Sequence, residues 1–220
     1  MRVASRWRCA LRCRAEPSLP FMAKRAFDIV VAGLGLLLLS PLLLTIAAWI
    51  KLDTRGPVFF RQQRVGRRGV PFRIHKFRTM RDDAPALGLQ ITVGDDVRIT
   101  RAGRFLRRAK LDELPQLIDV LAGTMSLVGP RPEVPGYVAL YPPALRDAVL
   151  SVRPGITDLA SIEYRDEAAV LARAAEPERE YVQVVMPRKL ELAARYAREA
   201  SLGLDVTILW RTLQLLLAGR

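Results

Sequence analysis

The chain has 220 residues, half of them apolar, and carries 35 Lys or Arg against 22 Asp or Glu for a formal charge of +13. That length and apolar content suit one packed domain with appendages and exclude a disordered chain. The charge implies an anionic partner, with nucleic acid, acidic lipid headgroups and phosphorylated small molecules as the candidate classes. A single histidine, His75, excludes a Ser-His-Asp triad, a Cys-His pair and a multi-histidine metal site, so a structural role is expected for it.

Residues 1–22 read as a basic, unstructured leader, with Met22 as an alternative start. The leader lacks an apolar h-region and a small-residue cleavage site, so it is not a secretory signal. Cys9 and Cys13, the only cysteines, have no second pair and read as incidental thiols rather than a zinc site. Residues 23–50 follow as a membrane segment. Its 22 uncharged residues from Ile29 to Ile50 span ~33 Å as a helix, enough for a ~30 Å hydrocarbon core. Lys24 and Arg25 precede the run and Lys51 and Arg55 follow it, so basic flanks give no orientation. At its centre Pro41 removes a backbone hydrogen bond and crowds the preceding turn, and Ser40 can cap a group so freed. A kinked single crossing and a helix-break-helix that returns to the same face are both open on these residues. The GLG beginning at Gly33 lies inside this run and reads as helix packing rather than nucleotide binding.

Residues 51–220 form the rest of the chain. Within 51–110, 16 Lys or Arg stand against 5 Asp, so most of the excess charge follows directly after the membrane segment. The segments PVFFRQQRV and VPFRIHKF flank GRRG and predict a short β-hairpin with a glycine-bounded turn. GRFLRRAKLDELPQLIDVLAG reads as a basic helix, a proline at the first turn of a second helix and a glycine stop. Asp112 and Glu113 then lie beside a helix N-terminus, where carboxylates either cap the helix or sit next to a bound anion. In MSLVGPRPE, Pro130 and Pro132 clamp Arg131 in a rigid turn that suits a phosphate. VMPRKLELAARYAREA and DVTILWRTLQLLLAG predict amphipathic helices able to pack on the core or lie in the headgroup layer.

KFRTM (Lys76 to Met80), LDELPQL (Leu111 to Leu117), SLVGPRP (Ser126 to Pro132) and RPGIT (Arg153 to Thr157) occur in this order behind a Ser-Pro-interrupted apolar segment. Together they resemble the bacterial sugar transferase family, the monotopic phosphoglycosyl transferases, over about residues 23–220. The resemblance implies an α+β, mainly helical protein: a re-entrant membrane helix broken at Ser40-Pro41, and a cytosolic catalytic domain with a short β-hairpin and amphipathic interfacial helices. It also implies the activity, transfer of a sugar 1-phosphate from a UDP-sugar to polyprenyl (undecaprenyl) phosphate with release of UMP, which initiates a lipid-linked glycan. By the same resemblance Asp112 is the nucleophile, Glu113 the ligand of a required Mg2+ ion, and Lys76, Arg78, Arg107, Pro130, Arg131 and Pro132 line the phosphate and nucleotide site. The implied partners are the UDP-sugar, the polyprenyl phosphate and inner-membrane phospholipid, with downstream glycosyltransferases beyond them and no nucleic acid. The implied location is the cytoplasmic face of the bacterial inner membrane, and the length suits the minimal catalytic form.

Where many relatives read T-G-W-A-Q after RPGI, this chain has Thr157, Asp158, Leu159, Ala160 and Ser161, so the pocket for sugar or uracil is expected to differ and the sugar stays unnamed. A non-enzymatic, membrane-tethered basic module that binds lipid or nucleic acid accounts for the charge but leaves LDELPQL and GPRP without a purpose. A glycosyltransferase that moves only the sugar would release UDP.

Overall fold

A computed structural model describes residues 19–81 and 96–218. Cys9, Cys13 and most of the expected leader lie outside these residues. The described part is mainly helical with a few short strands.

Helix α1 (Leu19–Asp53) is long and apolar enough to cross a membrane by length and composition. Its helical assignment runs without interruption through Ser40 and Pro41, so the expected break is not present. The physical reason is local. Pro41 cannot donate to the carbonyl of Leu37, and the Ser40 hydroxyl donates to that same oxygen at 2.8 Å. Thr45 Oγ1 likewise donates to the Pro41 carbonyl at 2.8 Å. One lost backbone bond is replaced by side-chain bonds, and the helix continues.

α1 does not stand free of the rest of the protein. Phe27, Ala32, Leu36 and Leu39 pack into a core with Ile74, Leu117, Val120 and Met125, while Leu43, Ile46, Ala47 and Ile50 pack with Phe77 and Leu106. From Ala32 to Ile50, Ala47 aside, these positions recur at three- and four-residue spacing, the period of one helix face. The opposite face leaves Val30, Leu34, Leu37, Leu38 and Leu44 exposed. A buried polar network fastens the first arm: Lys24 Nζ donates to Asp205 Oδ2 at 2.6 Å, the Tyr196 hydroxyl donates to Asp205 Oδ1 at 2.6 Å, and the Leu127 N–H donates to Asp28 Oδ1 at 3.3 Å.

After α1, β1 (Phe59–Phe60) pairs antiparallel with β4 (Lys76–Phe77), and β2 (Gln63–Val65) pairs antiparallel with β3 (Pro71–Arg73), with Val65 opposite Pro71. The turn between β2 and β3 is GRRG itself, where Arg68 and Gly69 take left-handed conformations, φ 59° and 76°. Helix α2 (Arg101–Arg108) is capped twice: Thr100 Oγ1 accepts from Gly103 N at 2.9 Å and Asp53 Oδ2 accepts from Ala102 N at 3.1 Å. A left-handed Lys110 (φ 56°) turns the chain into a 3₁₀ turn, Leu111–Glu113, which leads through Pro115 into α3 (Gln116–Ala122). Gly123, at φ 84°, ends α3.

β5 (Ser126–Val128) and β6 (Gly155–Thr157) form a parallel pair that the sequence patterns did not predict. Two glycines permit it. A Cβ at Gly155 would lie 2.1 Å from the Gly129 nitrogen, and one at Gly129 would lie 2.3 Å from the Arg153 carbonyl oxygen. The GPRP and RPGIT segments therefore touch backbone to backbone. Helices α4 (Pro135–Val138), α5 (Pro143–Val149), α6 (Leu159–Glu163), α7 (Glu167–Ala172) and α8 (Pro177–Glu180) follow. A π turn, Tyr181–Val185, leads into α9 (Met186–Glu199); Pro187 has no N–H for the Gln183 carbonyl, and the wider turn accommodates that loss. α10 (Leu202–Leu217) closes the described chain, capped by Ser201.

Gly155→Ala should destabilise the fold by about 3 kcal/mol or more, because backbone rather than a flexible side chain fills the space. Chemical denaturation of the detergent-solubilised protein reads this, and a loss under about 0.5 kcal/mol would contradict the close approach.

Candidate active site

The two adjacent carboxylates occupy different environments. Asp112, in the 3₁₀ turn, is 8% exposed. Burial first, then the neighbouring Glu113 charge, raises its pKa above the ordinary carboxylate value, against the opposing pull of Lys76, Arg107 and Lys110. Glu113 is held by two cations. Lys76 Nζ donates to Oε1 at 2.7 Å, Arg131 Nη1 donates to Oε2 at 3.0 Å, and Arg131 Nη2 donates to Oε1. Burial alone would raise Glu113, but Arg131 and then Lys76 outweigh it and hold the group well below the usual carboxylate range. Glu113 in turn raises the Arg131 guanidinium.

Each cation arrives on a different element. Lys76 comes from β4, and Arg131 from the loop after β5. That loop is fixed from both sides: the Pro130 carbonyl accepts from Gly155 N at 3.1 Å, the Pro132 carbonyl accepts from Arg64 Nη1 at 3.2 Å, and the Glu133 carbonyl accepts from Val65 N at 2.9 Å. Pro130 and Pro132 are themselves buried. Arg107, near the end of α2, donates from Nε to Thr79 Oγ1 at 2.9 Å and lies close enough for its charge to act on Asp112. Lys76, Arg107, Asp112, Glu113, Pro130, Arg131 and Pro132 therefore gather in one corner of the fold.

Arg78 is placed elsewhere. Its guanidinium donates to the Arg55 carbonyl at 2.7 Å, and to the Thr54 carbonyl and hydroxyl at 2.9 and 2.8 Å, so it fastens the exit from α1. Strand alternation would put Lys76 and Arg78 on one face, but β4 ends at Phe77 and Arg78 is almost fully enclosed against the exit from α1. Ser40 and Pro41 belong to α1 and its packing, not to this corner. His75 has the structural role expected of it: its backbone N–H donates to Asp119 Oδ2 at 2.8 Å and its Nδ1 lies 2.7 Å from Asp119 Oδ1.

Two residues with a bearing on the site escaped the sequence patterns. Asp119 holds the strand that carries Lys76 by its contact with His75. Asp158, 3% exposed, accepts the Arg131 backbone N–H at 3.2 Å and caps α6 by accepting from Ser161 N at 2.6 Å. The signal for the latter was present as an Asp three residues before a Ser, an N-cap pattern. The departure at Thr157 to Ser161 thus sits directly behind Arg131, and Thr157 Oγ1 reaches Thr212 Oγ1 of α10 at 2.8 Å.

Residues 19–219 match the family described as bacterial sugar transferase. The chain belongs to the bacterial sugar transferase family. Among the similar relatives of this family member, the UDP-glucose:undecaprenyl-phosphate glucose-1-phosphate transferase of Escherichia coli (strain K12) is 40% identical over 194 residues, 87% of this chain and 39% of that protein. The UDP-N-acetylgalactosamine-undecaprenyl-phosphate N-acetylgalactosaminephosphotransferase of Aeromonas hydrophila is 38% identical over 198 residues, 89% of this chain and 44% of that protein. This family member thus spans about two-fifths of the length of those two. The uncharacterized sugar transferase EpsL of Bacillus subtilis (strain 168) is 38% identical over 198 residues, 89% of this chain and 88% of that relative.

Glu113 is a depressed carboxylate, so its stabilisation is present above the ordinary value of about 4.3 and is lost as pH falls through the lower folded-state value. In metal-free protein, Glu113→Gln should cost on the order of 2 kcal/mol at pH 7, because two half-buried cations lose their counter-charge. The gap to the parent protein should begin to narrow below about pH 4.3. Melting curves across pH read both, and equal stabilities at pH 7 would contradict the clamp.

Proposed function

We propose that this protein transfers a sugar 1-phosphate from a UDP-sugar to polyprenyl phosphate, with release of UMP, through a covalent intermediate on Asp112. The observation that carries this reading is Asp112 itself: a desolvated carboxylate within reach of three cationic charges, beside a second carboxylate already neutralised by two of the site's cations. In the first step an oxygen of Asp112 attacks the phosphorus that bears the sugar. The bond from that phosphorus to the bridging oxygen breaks, and UMP leaves with the electron pair. In the second step an oxygen of the lipid phosphate attacks the same phosphorus and expels the Asp112 carboxylate. Lys76, Arg107 and Arg131 offset the charge on the transferring group, each contributing on the order of 3 kcal/mol. The names of the relatives, which act on UDP-glucose or UDP-N-acetylgalactosamine and undecaprenyl phosphate, support the substrate classes.

The donor set suits Mg2+. Among the described residues no group of three or more His, Cys, Asp and Glu could hold a metal. Asp112 and Glu113 are two adjacent carboxylates, and one or two carboxylates are the usual protein share for a magnesium ion that also binds substrate phosphates and water. Glu113 would hold it, with Asp112 alongside, and the ion would supply charge neutralisation to the diphosphate.

The packing of α1 along the body supports an anchor that lies at the cytoplasmic side of the inner membrane without crossing it. Both arms of α1 rest on the same body, Phe27 to Leu39 on one core and Leu43 to Ile50 on another. A helix crossing the bilayer would leave one arm without protein neighbours. One face on the body and the other in lipid fits a monotopic protein whose site lies level with headgroups.

Purified protein given Mg2+, undecaprenyl phosphate and a panel of UDP-sugars should yield one UMP per lipid product with at least one donor. Asp112→Asn should lower that rate by more than about 1,000-fold and Lys76→Met by about 100-fold. Release of UDP, or a near-normal rate from Asp112→Asn, would overturn the proposal.

A further inference from the structure

We propose that Asp158 is a positioning residue for the transfer, holding the backbone of Arg131 so that its guanidinium stays aimed when it turns from Glu113 to the donor phosphate. The inference rests on the function proposed above, in which Arg131 offsets charge on the transferring group, and adds a residue that touches neither substrate. The Arg131 side chain is held chiefly by Glu113, through Nη1 to Oε2 at 3.0 Å and through Nη2 to Oε1. A further bond, from Nη1 to the Ile156 carbonyl, is long at 3.4 Å. A phosphate that recruits this guanidinium draws it off Glu113. The aim of the side chain then depends on its backbone.

That backbone has few points of attachment. Pro130 and Pro132 carry no N–H, so from Pro130 to Pro132 the Arg131 N–H is the single backbone donor. The pairing of β5 with β6 continues one step past β5, where Gly129 N donates to the Thr157 carbonyl at 3.1 Å. At the next rung β6 has ended and Asp158 begins the turn into α6. The Arg131 N–H is met there by a side chain, with Asp158 Oδ2 accepting it at 3.2 Å.

Asp158 suits that task because it is fixed from its other side. It is buried, directly follows β6, and its second oxygen, Oδ1, accepts from Ser161 N at 2.6 Å as the N-cap of α6. A buried carboxylate needs donors, and these two N–H groups supply one to each oxygen. Its charge also favours the charged form of the Arg131 guanidinium, after the larger effect of Glu113. Two carboxylates therefore share Arg131. Glu113 holds the guanidinium and Asp158 the backbone, and the second hold does not depend on what the guanidinium binds.

The test uses full-length, detergent-solubilised protein with Mg2+, undecaprenyl phosphate and a UDP-sugar that it turns over. Asp158→Asn keeps the α6 cap, since asparagine caps as well as aspartate, but turns its amide NH2 toward the Arg131 N–H, donor against donor. It should lower kcat about 30-fold, leave KM for the donor within about threefold, and melt within about 4 °C of the parent. Arg131→Met is the background that separates positioning from a merely structural role. On it, Asp158→Asn should cost less than about twofold, because the side chain it positions is gone. Asp158→Ser, which also caps α6 but has a single short acceptor, should repeat both results. A near-parent rate for Asp158→Asn, or the same loss on both backgrounds, would overturn the proposal. So would unfolding of both the Asn and the Ser variants, which would make Asp158 a structural residue only. A parent protein that transfers no sugar phosphate from any UDP-sugar would overturn the proposed function, and this inference with it.

Discussion

A carboxylate shared by two cations organises this protein. Lys76 arrives on a strand of the β1–β4 pair, Arg131 on the loop after β5, and Glu113 on the turn between α2 and α3, so one ionic corner joins three separate parts of the chain. In a protein of charge +13, cations brought this close need a counter-charge for the fold to hold them without a ligand. Glu113 supplies it from within. The cost falls on Asp112, which is left desolvated beside a second negative charge, and its raised pKa is the signature of that position. In the proposed reading stability and reactivity come from one arrangement: the ion pairs that complete the fold also leave a desolvated carboxylate free to attack the donor.

The same economy governs the anchor. A long apolar helix would ordinarily be free to cross a bilayer, but a seam of small and apolar residues commits α1 to the body along both arms, and Lys24 with Asp28 secures its start in a buried polar network with Asp205. Ser40 allows Pro41 to be carried without an orphaned carbonyl. Arg78, which donates to the Thr54 and Arg55 carbonyls, ties the far end of α1 to the segment that bears Lys76. The apolar helix and the ionic corner are thus one mechanical unit, which suits the proposed chemistry on a lipid-borne phosphate.

Much of this was legible in the sequence where local chemistry decides the outcome. The glycine-bounded GRRG turn, Pro115 and Gly123 at the ends of α3, and the periodic stretches of α9 and α10 all carry their signals within a few residues. What escaped depends on partners distant in the chain. The parallel β5–β6 pair exists because two glycines 26 positions apart let their backbones meet. His75 finds Asp119, and Arg131 finds Asp158, only after folding. Arg78 was expected at the phosphate site from the resemblance of KFRTM to the family motif, and its environment is set by the end of α1. The helix break was expected at Ser40-Pro41 with the serine capping a freed group; that hydroxyl instead bonds the Leu37 carbonyl within a helix that continues. For the site, the resemblance of four ordered motifs gathered most of the residues that the fold brings together, and the ionic partnership of Lys76, Glu113 and Arg131 became visible only in three dimensions.

The central claim is that Asp112 carries the sugar phosphate between donor and acceptor. Acid-quenched protein incubated with Mg2+ and its UDP-sugar, lipid acceptor omitted, should gain the mass of one sugar phosphate, located by peptide mapping at Asp112 and removed when undecaprenyl phosphate is added. Turnover to lipid product with no such adduct at any quench time, or with the adduct on another residue, would contradict it.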